Sequence, residues 1–294
     1  MGGAKTCQIM GMKRCLAAVV VYYPEWEAFC ENLKSYPQGV DGVLVVANSP
    51  LRKEQLDYLA QAGIVLLENP ENVGVAQALN QAALYAIRQG FKWLLTMDQD
   101  SAFGQVKKGA LEQAMHLAPP KTAAIGVESL RTPEAVPRFV PAAFLLQSGT
   151  LFHLETWSEL GPFLEPLFID AVDHEYCLRA RKNGHRILQY PSIPLIHQLG
   201  QTYKLPAWLF VFHRHTKTGI SYHSPEREQF IFRNNAWLIG QYLWTFPGWA
   251  LRRSGYLALR VLYAAFLLPQ KKNRLKNILQ GLRNSRGFRP QKSR

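Results

Sequence analysis

The chain opens as alternating blocks of continuous apolar sequence and amphipathic sequence. CLAAVVVYY (15–23), GVLVVANS (42–49) and IVLLE (64–68) are β-branched runs with no polar face. That is the pattern of strands covered on both sides. Tyr23-Pro24 and Asn48-Ser49-Pro50 stop the first two. Between them, EWEAFCENLKSY (25–36), RKEQLDYLAQAG (52–63) and NVGVAQALNQAALYAIRQG (72–90) carry apolar residues at helical spacing, and Gly63 and Gly90 close the last two. WLLTMDQD (93–100) is a fourth strand that runs from apolar residues into acid. The order βαβαβαβ predicts an α/β fold whose mostly parallel sheet has helices on both faces. Ligands of such sheets gather beyond the carboxyl ends of the strands. Here those tips are Tyr22-Tyr23, Asn48-Ser49, the segment 72–80 and Asp98-Gln99-Asp100.

The pattern then loosens. TAAIGV (122–127) and AFLLQSGTLFH (143–153) read as strands, and ETWSELG (155–161) as a short helix. FLEPLFIDAVDHEYCLRARKNG (163–184) reads as a loop leading into a helix that ends at Gly184, and HRILQY (185–190) and PLIHQLG (194–200) as short strands. Beyond about residue 205, Trp, Leu, Phe and Tyr mix with Arg and Lys. The expected organisation is a loose leader over 1–12, a catalytic α/β domain over 13–204 and a basic, aromatic-rich helical region over 205–294.

Composition sharpens this division. Of the 294 residues, 48% are hydrophobic and 19% charged, a globular balance that excludes wholesale disorder. The net charge of +13 is carried by one end. The last acid is Glu228, and residues 229–294 hold 13 Lys/Arg and no Asp or Glu, while the first 228 residues balance 21 bases against 21 acids. The apolar stretches of the tail are too short or too interrupted to span a bilayer. Its mixture of basic and aromatic residues suits a helix lying on an anionic membrane better than one binding nucleic acid, because Gly255–Pro269 is too oily to present to RNA. Cys7, Cys15, Cys30 and Cys177 form no CxxC pair, so neither a disulfide framework nor a zinc site is expected, and a reducing cytoplasm fits.

Three acidic or glycine-bearing segments carry candidate chemistry. Asp98 and Asp100, two residues apart at a strand tip, would share one side of an extended segment and there bind a hard cation such as Mg²⁺ or Mn²⁺. The alternative is two solvated acids in a turn, with Ser101 starting a helix. Asp170, Asp173 and Glu175 surround a helix start and partly suit its dipole. The apolar FLEPLF before them would raise a carboxyl pKa, which makes Asp173 a candidate general base. Arg179 pairs with an acid or with a phosphate. Gly74, at a helix start, permits close backbone approach and so anion binding, or simply a turn. His197, at the end of a strand-like segment, is either a hydrogen-bonded structural residue or a ligand beside acids. Neither a G-x-G-x-x-G fingerprint nor a P-loop is present.

Taken in order, YYP, VVANS, NVGVAQALNQA, LLTMDQDS, QSGTLF, FLEPLFIDAVDHEYCLRARKNGH, PLIHQLG and REQFIFRNNAWL resemble the family 2 glycosyltransferases of GT-A fold, most of all their bacterial rhamnosyltransferase branch. The resemblance covers about residues 15–240. It implies inverting transfer of a sugar from a nucleotide diphosphate with Mg²⁺ or Mn²⁺, to a hydroxyl of a glycan or lipid-linked oligosaccharide. It implies a metal at Asp100 with Asp98 and His197, nucleotide-sugar contacts at Tyr22, Tyr23, Asn48, Gly74, Asn80 and Asp98, and sugar or acceptor contacts at Ser148, Gly149, Asp170 and Glu175, with Asp173 as base. L-Rhamnose from dTDP-rhamnose is the first expectation, and galactofuranose or another hexose the second. The expected place is the cytoplasmic face of the inner membrane, with residues 229–294 as the contact. Arg233-Asn234 matches a conspicuous pair of that branch whose role the residues do not reveal. Ala47 departs from the Asp-Asn-Ser of many relatives, which leaves the nucleotide open. Readings of other classes are a metal-dependent phosphotransferase, a non-catalytic membrane-bound partner and a basic nucleic-acid binder.

Overall fold

The computed structural model of the chain describes residues 14–128, 138–197, 202–203 and 220–290. The leader expected over 1–12 and the boundary expected at 205 lie outside them. The first four strands are β1 (Cys15–Val21), β2 (Gly42–Ala47), β3 (Val65–Glu68) and β4 (Trp93–Asp98). Helices α1 (Trp26–Lys34), α2 (Lys53–Gln61) and α3 (Gly74–Arg88) connect them. β1 pairs in parallel with β2 on one side and β4 on the other, and β3 extends β2.

Two-sided burial explains the continuous apolar runs. Leu16 and Ala18 of β1, with Leu44 and Val46 of β2, face the alanine-rich side of α3. Their neighbours Ala17, Val19, Val45 and Ala47 face the opposite core around Phe29 of α1 and Leu59 of α2. A strand whose alternate residues enter two cores has no polar positions to spare. Ala76, Ala82, Ala83 and Ala86 let α3 lie close on the sheet.

The second half departs from the simple alternation. After β5 (Ser101–Phe103), α4 (Ala110–His116) and β6 (Thr122–Glu128) come β7 (Val140–Pro141), β8 (Thr150–His153), α5 (Leu154–Leu160), a 3-10 turn at Glu165–Leu167, α6 (Val172–Lys182), β9 (Arg186–Ile193) and β10 (Leu195–His197). The main sheet runs β3-β2-β1-β4-β8-β6-β9-β7, with β8 antiparallel to both β4 and β6. The strand expected over 143–153 shrinks to β8, because Gly149 turns the chain at a φ of +73° and gives its N–H to Thr96. Asp98-Gln99-Asp100 is not extended. β4 ends at Asp98, Gln99 and Asp100 turn, and Ser101 enters a strand where a helix was the alternative. β5 then pairs antiparallel with β10.

The carboxyl-terminal residues form β11 (Thr202–Tyr203), which pairs with β12 (Ile220–Ser221), and the helices α7 (Pro225–Tyr242), α8 (Pro247–Phe266) and α9 (Lys271–Gly287). Among the described residues no helix is long and apolar enough to cross a membrane. α9 reaches close to α7 at Gly281, where a Cβ would stand 2.5 Å from the Gln229 carbonyl oxygen. The three helices meet on Glu228, the last acid of the sequence, which is wholly buried. Arg260 of α8 donates to both of its carboxylate oxygens at 2.7 and 3.0 Å, and Arg274 of α9 donates at 3.0 Å. Removing the shared acid strands two buried guanidinium groups, a change that typically costs about 3–5 kcal/mol. Glu228→Ala is therefore expected to lower the melting temperature sharply and to loosen α8 and α9 together, read by calorimetry and hydrogen exchange. A variant that melts like the parent would show the triad to be dispensable.

Candidate active site

The strand order reverses between β1 and β4, which opens a crevice at their carboxyl ends. The two lips are joined by Gln99. The Tyr22 N–H donates to its Oε1 at 2.7 Å, and its Nε2 donates to the Tyr22 carbonyl at 3.3 Å. Tyr22 and Tyr23 stand exposed above this join with their rings edge to face at 4.7 Å. Tyr23, held at φ +44°, gives its N–H to Ser49 at 2.8 Å. A pair of exposed aromatic faces beside acids is suited to a planar base.

On the β4 side Asp98 is half-buried and Asp100 exposed. Asp98 takes a hydrogen bond from Gln147 Nε2 at 3.1 Å, and its N–H donates to Ser148 Oγ at 3.1 Å. Ser148 therefore lies beside Asp98, and Gly149 next to it gives its N–H to Thr96. The β5–β10 register sets the His197 backbone opposite Ser101, one residue past Asp100, while the His197 side chain lies outside the described atoms. Among the described residues no three His, Cys, Asp or Glu side chains gather to hold a metal. Hard carboxylate oxygens at the strand tip still suit Mg²⁺ or Mn²⁺, provided that a diphosphate and water complete the shell.

The facing wall is the loop before α6. Phe168, Asp170 and Ala171 all hold positive φ, +65°, +63° and +63°, a costly backbone for residues with side chains. The surroundings fix it. The Phe168 carbonyl accepts the N–H groups of Val75 at 2.7 Å and Ala76 at 3.3 Å. Asn234 Nδ2 lies 2.8 to 2.9 Å from the carbonyls of Leu167, Ile169 and Asp170, and Arg233 donates to Pro166 and Leu167. The role that the sequence left open for Arg233-Asn234 is thus a clamp on this loop.

The clamped loop presents Asp170 and Asp173. Arg227 of α7 grips Asp170 with two bonds of 2.9 Å. Asp173 is partly buried and accepts the N–H of His174 at 2.8 Å. Burial, helped by the charges of Asp170 and Asp98, pushes its pKa up to about 6 against the pull of that N–H and of Arg253. Asp98, Asp170, Asp173, Arg227 and Arg253 are therefore near enough to feel one another, although they come from β4, the α6 loop, α7 and α8. Arg253 is held by Asn235 and lies 4.6 Å over the Tyr256 ring. His174 faces away, between Phe144 and Trp249, and burial drives its pKa down to about 3, so it stays neutral.

Four expected contacts are placed elsewhere. Asn48 is 3% exposed, and its amide is taken up by the Gly74 carbonyl and by Asn69. Gly74 does permit a close approach, but the approaching group is Phe168: a Cβ would meet its ring at 2.5 Å, and its carbonyl occupies the helix N–H groups that an anion would need. Asn80, also 3% exposed, ties down Phe163 with both ends of its amide and donates to Glu165. Glu175 is buried in a two-bond pair with Arg179, which also donates to the carbonyls of Leu160, Gly161 and Pro162. Of the two partners open to Arg179, the acid is the one it takes. These residues shape the walls and do not face the cleft.

Gln99, Gln147, Arg227 and Arg253 were missed. Arg227 stands in REQFIFRNNAWL, already singled out as a block, but only the three-dimensional contact reveals its target. Asn234→Ala removes the side-chain donor of the Ile169 and Asp170 carbonyls and one of the donors of the Leu167 carbonyl, in a strained loop. The expected outcome is a loss of about 1–3 kcal/mol in chemical denaturation and faster proteolysis near residue 168. Equal stability and equal cleavage would mean that the loop holds its own shape.

No family model matches the chain. A curated relative, the dTDP-rhamnosyl transferase RfbF of Shigella flexneri, is 25% identical over 221 residues, covering 63% of this chain and 69% of the relative. In fold, the chain is similar to residues 1–349 of S. aureus TarS, with a TM-score of 0.50 at 14% identity over 92% of this chain and 81% of that one. The mixed sheet flanked by helices is the expected GT-A architecture. Motif order, fold and relative agree: the chain resembles the family 2 glycosyltransferases, is rhamnosyltransferase-like, and is an enzyme of the transferase kind.

Proposed function

We propose that this protein is an inverting, metal-dependent glycosyltransferase that moves L-rhamnose from dTDP-rhamnose to a hydroxyl of a glycan or lipid-linked oligosaccharide. The observation that carries the reading is the pairing of two acidic centres across one cleft. Asp98 and Asp100 sit where the strand order reverses, and Asp173 faces them from a strained, clamped loop with its pKa near neutrality. The name of the Shigella flexneri relative supports the donor.

In this reading the exposed rings of Tyr22 and Tyr23 take the nucleotide base. Asp100, with Asp98 and the neighbouring His197, would hold Mg²⁺ or Mn²⁺, which supplies positive charge where the diphosphate gathers negative charge as it leaves. Gln147 and Ser148 orient Asp98. Arg227 neutralises Asp170, so that Asp173 stands beside one fewer uncompensated negative charge. Asp173 then takes the proton of the acceptor hydroxyl on the side opposite the departing diphosphate, and inversion results. Ser148 and Gly149, beside Asp98, border the place where sugar and acceptor meet. The working place is the cytoplasmic face of the inner membrane, with the basic residues beyond Glu228 toward anionic lipid. Nucleic acid is the less suited partner, because the exposed bases of α8 and α9 stand among exposed apolar residues that suit lipid.

Asp173→Asn is expected to cut transfer by about 10²–10⁴-fold while leaving donor binding intact. In the parent, the deprotonated carboxylate is the active form. kcat/KM should therefore hold above about pH 6 and fall toward tenfold per unit below it. Wild-type turnover in the variant would remove Asp173 from the chemistry. Asp100→Ala should abolish the Mn²⁺-dependent part of dTDP-rhamnose binding in calorimetry, and titrations that match the parent with and without Mn²⁺ would rule out the metal role. A panel of other nucleotide sugars, read by thermal shift, tests the donor itself.

A further inference from the structure

Helix α8 has two faces of opposite character. Trp249, Ala250, Leu257, Arg260 and Ala264 are buried against the body. On the other side, Leu251, Gly255, Leu259, Leu262 and Phe266 follow one another at spacings of three and four residues, so they form a single stripe. All five are exposed, Leu251 by 75% and Phe266 by 70%, and Trp244 ahead of the helix is 91% exposed. Contiguous apolar surface of this kind marks a contact site.

Charge identifies the occupant. Exposed bases bracket the stripe, Arg252 near its start and Lys271 and Lys272 just past its end. α9 continues with exposed Lys276, Arg283 and Arg286 beside exposed Leu279 and Leu282. No acid follows Glu228 in the sequence, and Glu228 is itself buried between two arginines. A second copy of this chain would bring like charges together around the stripe, whereas an anionic lipid surface offers both hydrocarbon and negative headgroups. A helix lying in the interface needs no bilayer-spanning length.

We propose that the outward stripe of α8, from Leu251 to Phe266, together with Trp244 ahead of the helix, is the surface by which the protein rests on an anionic bilayer, and that the inward face of the same helix sets the Asp173 side of the cleft about one helix diameter, ~10 Å, from the lipid. The inward link is in place: Trp249 lies 6.2 Å from the ring of His174, the residue after Asp173, and Arg253 acts on Asp173 itself. The acceptor class that suits this geometry is a sugar carried on a lipid anchor, with its reacting hydroxyl close above the headgroups. This second half rests on the glycosyltransferase reading; the first does not.

The test is vesicle flotation of the full chain with phosphatidylcholine alone and with added phosphatidylglycerol, alongside the double variant Leu251→Glu/Phe266→Glu and the variant Lys271→Glu/Lys272→Glu. Both pairs are exposed, so melting temperatures should match the parent. The parent is expected to float only with the anionic vesicles. The apolar double variant should lose binding by on the order of a hundredfold, and the charge variant by at least about tenfold. With a lipid-linked acceptor the apolar variant should lose turnover while its Mn²⁺-dependent binding of dTDP-rhamnose is unchanged. Flotation that survives in the double variant would overturn the proposal. So would a parent dimer in light scattering that the double variant converts to monomer, because the stripe would then belong to a second copy. If parent and variants fail alike to bind any nucleotide sugar, yet flotation behaves as expected, the glycosyltransferase reading falls and the lipid surface stands.

Discussion

The backbone of residues 168–171 is held where amino acids with side chains rarely rest, and the arrangement of the cleft depends on that restraint. Three positive φ angles within four residues cost on the order of a few kcal/mol. The loop keeps them because hydrogen bonds reach it from two directions. The first turn of α3 donates to the Phe168 carbonyl, and the side-chain amide of Asn234 of α7 is shared among the carbonyls of Leu167, Ile169 and Asp170. The αL conformation at Ala171 starts α6 abruptly, so Asp173 falls in the first turn with its carboxylate against the His174 N–H. A relaxed loop would carry Asp170 away from Arg227 and Asp173 away from Asp98.

The same restraint makes the carboxyl-terminal helices part of the cleft. α7 supplies both the clamp and Arg227, and α8 supplies Arg253 and packs Trp249 behind the cleft against His174. Their mutual packing is set by Glu228, which draws Arg260 and Arg274 inward. Such a buried ionic centre is costly to desolvate and adds little net stability over an apolar one. Its consequence here is geometric, because it fixes how α8 and α9 lie relative to α7, and so how Arg253 lies relative to Asp173.

The sheet was legible in the sequence because burial on both faces leaves an unmistakable run of β-branched residues, and CLAAVVVYY and GVLVVANS became β1 and β2 with little change. Asp98-Gln99-Asp100 was legible as chemistry but not as geometry, since nothing in three letters distinguishes an extended tip from a turn. The strand expected over 143–153 failed for a similar reason: QSG carries the turn, yet the apolar residues on both sides hide it. The family resemblance implies ligand contacts at Asn48, Gly74 and Asn80. The structure uses their polar groups and small size to bind the chain to itself, a distinction that needs the partner to be seen. Arg227 and Arg253 were beyond sequence reasoning, because their targets lie 57 residues away in one case and on a different helix in the other.

The positive charge of the tail resolves into distinct uses once the contacts are known, and this bears on how it should be read. Arg260 and Arg274 are internal counter-charges, withdrawn from any surface. Arg233 is a loop clamp that also lies against the rings of Phe230 and Phe288. Arg253 faces the acids of the cleft. Arg252, Lys271, Lys272, Lys276, Arg283 and Arg286 remain outward. A purely electrostatic view of residues 229–294 would treat all of these as equivalent, and a salt titration would report only their sum. The structural division implies that charge removal at Arg253 acts on chemistry, at Arg274 on folding and at Lys271 on surface contact. Net charge alone therefore says little about what the segment does, and the side of each helix on which a base stands says most of it.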